Sequence, residues 1–111
     1  MESVVPRLFD LSGRVAIITG GAGLLGMQHA AAIAEAGGHV VIADRSDDTV
    51  ASAAALTEAY PIEAFGVRTD VTCRGEVDAM VAAVMEKFGR IDILINNAAL
   101  TMRGGDHRAD D

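Results

Sequence analysis

Residues 15–26 read VAIITGGAGLLG, and this stretch decides the fold. Val15 to Ile18 form a short apolar run rich in β-branched residues, a pattern typical of a strand buried on both faces of a parallel sheet. Glycines follow at once, and an alanine-rich helical pattern begins at Leu24. A strand, a glycine-rich turn and a helix in this order predict the start of a βαβ unit.

The same alternation continues along the chain. It predicts further strands at 39–43, 64–68 and 91–95, and helices at 24–36, 48–60 and 76–88. Because short joints connect strands and helices, the connections predict parallel strands with right-handed crossovers. The sequence therefore predicts an α/β fold, a Rossmann-like doubly wound parallel sheet of order 3-2-1-4.

Apolar residues at helical spacing predict which faces pack. The second helix has four residues in register, namely Val50, Ala53, Ala54 and Thr57. The third helix has a longer stripe, formed by Val77, Val81, Val84, Met85 and Phe88. Thr72 is the expected N-cap of the third helix, and Gly37-Gly38 are expected to end the first helix in a left-handed conformation.

Length, charge and cysteine content bound the classes of function. The 111 residues carry a net charge of −7, which argues against nucleic acid and anionic membrane surfaces as partners. No apolar run approaches the roughly 18 residues of a membrane span, and the first residues lack the pattern of a signal peptide. With Cys73 as the single cysteine, an internal disulfide is excluded, and we expect a cytoplasmic protein.

The glycines after the first strand can be aligned in two ways. Gly21-x-Gly23-x-x-Gly26 matches the general dinucleotide fingerprint, whereas Thr19-Gly20-x-x-Gly23-x-x-Gly26 has a closely related spacing. Both need a tight turn, a close approach of backbone to pyrophosphate, and a small residue where the helix meets the sheet. The amides and the positive dipole end of the first helix would then bind the phosphates.

Asp44 follows the second strand at the spacing of a carboxylate that accepts the adenosine ribose hydroxyls. A carboxylate there should repel a 2′-phosphate, so NAD is favoured over NADP. Arg45 is the neighbouring residue and could instead receive that phosphate. A second alternative is that Asp44 only caps the next helix.

These features, taken with two later motifs, resemble the short-chain dehydrogenase/reductase family over residues 8–101. The later motifs are Asp70-Val71 after the third strand and Asn96-Asn97-Ala98-Ala99 after the fourth. The chain departs from the commoner family pattern at Leu24 and Ala99, where glycine is usual, and its turn spacing is nearer that of the extended subgroup.

The resemblance implies roles for individual residues. Asp70 would bind the adenine amino group, Val71 would cover the ring, and the Leu25 amide would bind the pyrophosphate. Asn97 and Ala98 would line the floor of the cofactor crevice. Two alternatives remain open, since Asp70 could be a helix cap and the asparagines could satisfy the backbone of a turn. The cofactor-binding set implied by motif and resemblance is Gly20, Gly21, Gly23, Leu25, Gly26, Asp44, Arg45, Asp70, Val71, Asn97 and Ala98.

The resemblance implies catalysis by a serine, a tyrosine and a lysine. The lysine lies four residues after the tyrosine and lowers the pKa of its phenol. The single tyrosine here is Tyr60, position 64 is Ala64, and the single lysine is Lys87. We therefore expect no catalytic residues in this chain and no hydride transfer by it alone. His29, His39 and His107 lack metal-ligand spacing, so no metal site is expected.

The resemblance thus implies an NAD-dependent oxidoreductase, present here as its cofactor-binding part and truncated after the fourth strand, which in its complete form acts on a small-molecule alcohol or ketone. The alternatives are a non-catalytic dinucleotide-binding module and part of an extended-subgroup epimerase or dehydratase. The expected organisation is a lead-in at 1–12, the binding domain at 13–101 and a polar tail at 102–111. A homo-oligomer is expected if the full fold is present.

Overall fold

The computed structural model describes residues 10–97 of the chain. Strands and helices alternate throughout this range. They are β1 (Val15–Thr19), α1 (Leu24–Glu35), β2 (His39–Asp44), α2 (Thr49–Ala59), β3 (Ala64–Arg68), α3 (Arg74–Phe88) and β4 (Ile93–Asn96). Each predicted element is present, with bounds that differ by at most two residues.

The four strands form one parallel sheet in the order β3-β2-β1-β4. The predicted order is therefore confirmed. Ile17 in β1 lies opposite Val41 in β2 and Leu94 in β4, so the two central strands are in register along their apolar middle. The carboxyl ends of all four strands lie at one edge, as parallel pairing requires.

Helices cover both faces of the sheet. One core cluster joins the sheet to α3 and consists of Val15, Ile17, Val41, Ala43, Met80 and Val84. The other joins it to α1 and α2 and consists of Ile18, Ala30, Ala34, Val40, Ile42 and Leu56. Because the β1 and β2 side chains alternate between the clusters, both strands are buried on both sides, and the doubly wound arrangement is confirmed.

The predicted end of α1 is also confirmed. Gly37 has a φ of 95°, a left-handed conformation that favours glycine. Its N–H donates to the Ala34 carbonyl, and the Gly38 N–H donates to the Ile33 carbonyl over 3.0 Å. This pair of bonds is a Schellman motif, which reverses the chain into β2.

Two predicted packing faces are right only in part, because Ala53 in α2 and Val84 in α3 are buried while other residues of each predicted face are exposed. In α2 the buried residues are Thr49, Ala53 and Leu56, whereas Val50 is 69% exposed. The helix approaches β3 so closely at Gly66 that a Cβ there would overlap the Thr49 carbonyl group. This approach buries Thr49 and rotates Val50 outwards.

In α3 the buried residues are Met80 and Val84, while Val81 and Met85 are exposed. Val81 lines an open groove of about 390 Å³ between α3 and β4, and the exposed Leu94 of β4 lines it as well. The predicted cap differs too, since Cys73 is the N-cap residue of α3. The Thr72 hydroxyl instead donates to Asp70 Oδ1 over 2.6 Å, and among the described residues no side chain caps α3.

Candidate cofactor site

The glycine turn lies at the carboxyl end of β1, between that strand and α1. Gly20 has a φ of 70° and so needs the freedom of glycine. Its N–H donates to the Ala43 carbonyl over 2.8 Å, which ties the turn to β2. The Gly23 N–H donates back to the Gly20 carbonyl over 3.3 Å and closes the turn.

Gly21 and Gly26 are required by packing within the chain. A Cβ on Gly21 would lie 3.0 Å from Ile42 Cγ2 and 3.1 Å from the Ile18 carbonyl oxygen. A Cβ on Gly26 would overlap the Gly20 carbonyl oxygen and lie 2.6 Å from Gly21 Cα. Both residues are buried, so they hold α1 close to the sheet rather than facing outwards.

Gly23 has no such internal reason to be glycine. It is exposed, its φ of −80° suits any residue, and an added Cβ would meet only the Gly20 carbonyl oxygen, at 3.7 Å. The missing side chain leaves open space above the first turn of α1. Of the four glycines in the turn, this one has the position expected where a ligand approaches the backbone.

The start of α1 is suited to an anion. Gly23 is the N-cap residue, no side chain within the described residues caps this helix, and its first turn contains no acidic residue. The first amides of a helix have no intrahelical acceptor, and the helix dipole places positive charge there. Leu24 and Leu25 carry two of these amides, and both residues line the neighbouring cleft.

Asp44 ends β2 beside the turn. Its Oδ2 accepts the Ala22 N–H and its Oδ1 accepts the Ser46 N–H, both over 3.0 Å. It does not cap α2, which begins at Thr49 with Asp48 as its N-cap residue. The helix-capping alternative for Asp44 is therefore not observed. Both carboxylate oxygens retain further lone pairs for hydroxyl donors.

A cleft of about 400 Å³ opens between the turn and the ends of β2, β3 and β4. Seven of the eleven predicted site residues line it, namely Gly20, Gly23, Leu25, Asp44, Arg45, Val71 and Asn97. Three other predicted residues are not among its lining residues, namely Gly21, Gly26 and Asp70. Ala98 lies outside the described residues.

Asp70 is held in a tight turn before α3. Its Oδ1 accepts both the hydroxyl and the N–H of Thr72, and these bonds lower the pKa of the Asp70 carboxyl, with a smaller effect from Arg45 and Arg68. Its own N–H donates to Glu76 Oε1 over 2.8 Å. The carboxylate thus stabilises the turn that leads into the helix and does not act as the N-cap of α3.

Asn97 joins the end of β4 to the glycine turn. Its N–H donates to Thr19 Oγ1 over 3.0 Å, and its Nδ2 donates to the Gly20 carbonyl over 3.3 Å. Thr19 in turn donates to Asn96 Oδ1. Asn97 therefore does satisfy the backbone of a turn, and this turn is the one that forms the cleft. The Asn96 side chain accepts from a side chain instead.

Three lining residues were not predicted from the sequence, namely Leu24, Ala43 and Thr69. Thr69 is buried, its N–H donates to the Asp44 carbonyl over 2.7 Å, and its hydroxyl donates to Val67. Its place directly before Asp70 was the available signal, since the end of β3 lies beside the end of β2.

Charge and shape in this cleft fit a dinucleotide. The open space at Gly23 and the helix amides suit a diphosphate, and Asp44 suits ribose hydroxyls. Within residues 10–97, no three His, Cys, Asp or Glu side chains converge where they could hold a metal ion. None of the helices in this part of the chain has the length and apolar character that a membrane crossing requires.

Comparison with known proteins gives consistent matches. The family model described as short chain dehydrogenase matches residues 14–111. Galactitol 2-dehydrogenase from Agrobacterium fabrum is 44% identical over 90 residues, covering 81% of this chain and 34% of that protein. The chain spans about a third of the length of the curated relatives it matches.

Solved structures give the same result. L-sorbose reductase from Gluconobacter frateurii, complexed with NADPH and L-sorbose, has a TM-score of 0.77 at 37% identity, covering 81% of this chain and 35% of that one. NAD+-bound xylitol dehydrogenase has a TM-score of 0.77 at 32% identity, with the same two coverages. Since the family model matches nearly the whole chain, this protein belongs to the short-chain dehydrogenase family.

Proposed function

We propose that the chain forms the NAD-binding part of a short-chain dehydrogenase that interconverts an alcohol and a ketone. The observation that carries this proposal is the position of Asp44, whose carboxylate lines the cleft beside the amides at the start of α1. A diphosphate at those amides would place the adjoining ribose within reach of Asp44. When bound, the nicotinamide supplies or accepts the hydride.

The remaining predicted residues would complete the cofactor site. Leu25 would donate its amide to the pyrophosphate, Val71 would cover the adenine ring and Asp70 would accept its amino group. Asn97 and Ala98 would line the floor of the crevice.

The preference for NAD rests on charge. Asp44 would repel a 2′-phosphate, whereas Arg45, which is exposed and also lines the cleft, would attract one. Asp44 is the better placed of the two, because two backbone amides fix its carboxylate. Among the relatives, one solved structure is bound to NAD+ and another to NADPH, so similarity alone favours neither cofactor.

We further propose that residues 10–97 bind cofactor without providing the Tyr–Lys pair. Tyr60 packs against the cluster under α1 and α2, on one face of the sheet. Lys87 lies on the other face, with its Nζ 5.5 Å from the centre of the Phe65 ring. Both residues lie at the carboxyl ends of helices that lead into strands. They therefore lie at the edge of the sheet opposite the cleft.

Titration calorimetry on the 111-residue chain tests the cofactor assignment. We expect NAD to bind more tightly than NADP. Asp44→Ala should weaken NAD binding by about 1.5–3 kcal/mol, because hydrogen bonds to a charged group are lost. Asp47→Ala is the matched control, since it removes an equal charge from an exposed aspartate that is not among the cleft-lining residues. Tighter binding of NADP, or equal NAD affinity in both variants, would refute the assignment.

A further inference from the structure

Asp44 faces the cleft and also holds the glycine turn in place. Its Oδ2 accepts the N–H of Ala22, a residue in the middle of that turn and 22 positions away in the chain. Ala22 itself is half-buried against the cluster under α1 and α2. A ribose-binding carboxylate has no need of this bond, so the contact calls for a separate explanation.

The carboxylate is fixed firmly enough to act as an anchor. Its Oδ1 accepts the Ser46 N–H over 3.0 Å. Its backbone is fixed as well, because the Asp44 carbonyl accepts the Thr69 N–H over 2.7 Å. Side chain and main chain of Asp44 are thus held from two directions, one of them the chain that follows β3.

On the side that faces β2, the glycine turn has few other hydrogen bonds. The Gly20 N–H is bonded to the Ala43 carbonyl, and the Gly23 N–H makes a longer bond of 3.3 Å within the turn. Between these two points, the Ala22 amide is bonded only to the Asp44 side chain among the contacts described. The conformation of the turn at Ala22, directly before Gly23 and the first amides of α1, therefore depends on that carboxylate.

On the basis of the dinucleotide site proposed above, we propose that Asp44 is also a positioning residue for the pyrophosphate. By accepting the Ala22 N–H, it fixes the turn in the conformation that presents the Leu24 and Leu25 amides to the diphosphate. One carboxylate then links the ribose and pyrophosphate subsites. Its loss should affect ligands that contain no ribose.

The sign of the effect separates positioning from charge. A carboxylate close to a bound anion repels it, so its removal for reasons of charge alone should tighten anion binding. If Asp44 positions the turn, its removal should weaken anion binding despite the lost repulsion. Inorganic pyrophosphate is the appropriate probe, because it has no sugar for Asp44 to contact.

The experiment is a titration of the ¹⁵N-labelled chain with inorganic pyrophosphate, followed through its amide resonances. Asp44→Ala should bind about three- to tenfold more weakly than wild type, the effect of one lost hydrogen bond. Asp47→Ala should bind no more weakly than wild type. Asp44→Asn, which keeps one oxygen for the Ala22 amide, should bind more tightly than Asp44→Ala.

Amide hydrogen exchange gives a second readout that needs no ligand. In Asp44→Ala, the Ala22 amide should exchange at least about fivefold faster than in wild type, while the amide of Val41 in β2 should not change. An unchanged Ala22 rate would overturn the proposal. So would pyrophosphate binding in Asp44→Ala that is as tight as in Asp47→Ala, and this result would leave the dinucleotide site intact. A wild-type chain that bound no pyrophosphate would instead refute the proposed site itself.

Discussion

The side-chain amide of Asn97 donates to the carbonyl oxygen of Gly20 over 3.3 Å, although 77 positions separate the two residues. The bond joins the end of β4 to the turn that follows β1. The Asn97 N–H adds a bond to Thr19 Oγ1, so the two strand ends are linked by side chain and main chain together. The glycine turn is therefore held from β4 on one side and from Asp44 on the other.

Replacing Asn97 should loosen this link. Asn97→Ala should lower the free energy of unfolding by about 1 kcal/mol, because one half-buried hydrogen bond is lost. NAD affinity should fall by about fivefold, since the turn is then held from one side. Urea unfolding and calorimetry measure the two effects. Gln28→Ala, on the exposed side of α1, is the control, and equal behaviour of the two variants would contradict the role of Asn97.

Substitution by alanine should affect mainly stability at Gly26 and mainly NAD binding at Gly23. Gly26→Ala forces a Cβ into the Gly20 carbonyl group and should cost about 3 kcal/mol or more of stability. Gly23→Ala meets open space and should cost less than about 1 kcal/mol, yet should weaken NAD binding by about tenfold, because the Cβ enters the space required by the phosphate. A Gly23→Ala chain with full NAD affinity would show that the phosphate does not approach there.

Two methionines of α3 test which face of that helix is packed. Met80 is 4% exposed, whereas Met85 is 45% exposed. Met80→Ala should therefore lower the free energy of unfolding by about 2–5 kcal/mol, and Met85→Ala by less than about 1 kcal/mol. Chemical denaturation of the two variants provides the measurement. The reverse ranking would mean that the sequence stripe, and not the observed register, describes the packed face.

Asp92 should make the free energy of unfolding depend on pH in the acid range. Arg90 donates Nε and Nη2 to its two carboxylate oxygens, and the Val15 N–H donates to Oδ2. These bonds lower the pKa of Asp92 from 3.8 to about 2. Because the folded-state pKa is the lower one, ionised Asp92 stabilises the fold above about pH 4, and this contribution is lost as the pH falls through about 2.

Asp92→Asn should accordingly be less stable than wild type near neutral pH, and the difference should shrink towards about pH 2. Arg90→Gln should behave in the same way, since it removes the main cause of the shift. Urea midpoints measured across this range give the comparison. A difference that stays constant with pH in both variants would mean that Asp92 contributes through packing and not through its charge.

The fold could be predicted well because its signals are strong and local. β-Branched runs such as Val15–Ile18 and the glycines after them identify strands buried on both faces and the turn between strand and helix. Strand order then follows from the handedness of the connections. Seven of the predicted site residues reach the cleft for the same reason, since the carboxyl ends of parallel strands meet at one edge.

The packed faces of the helices and the bonds that hold the turn depend on contacts between distant residues, which no local sequence pattern encodes. In α2, alanines on several faces give no contrast, and burial of Thr49 is decided by Gly66 in a strand further along the chain. In α3, Met85 fits the stripe but is exposed, while Met80 was outside the stripe and is buried. The bond between Asp44 and Ala22 could not be predicted either, because it depends on the exact approach of β2 to the turn.

The most direct test of the account is to map NAD onto the amide resonances of the ¹⁵N-labelled chain. We expect the largest changes in amide chemical shift at Gly23, Leu24 and Leu25 in the turn and first helix, with further changes at Asp44 and Val71. Shifts confined to the groove between α3 and β4, or no shifts at all, would contradict it.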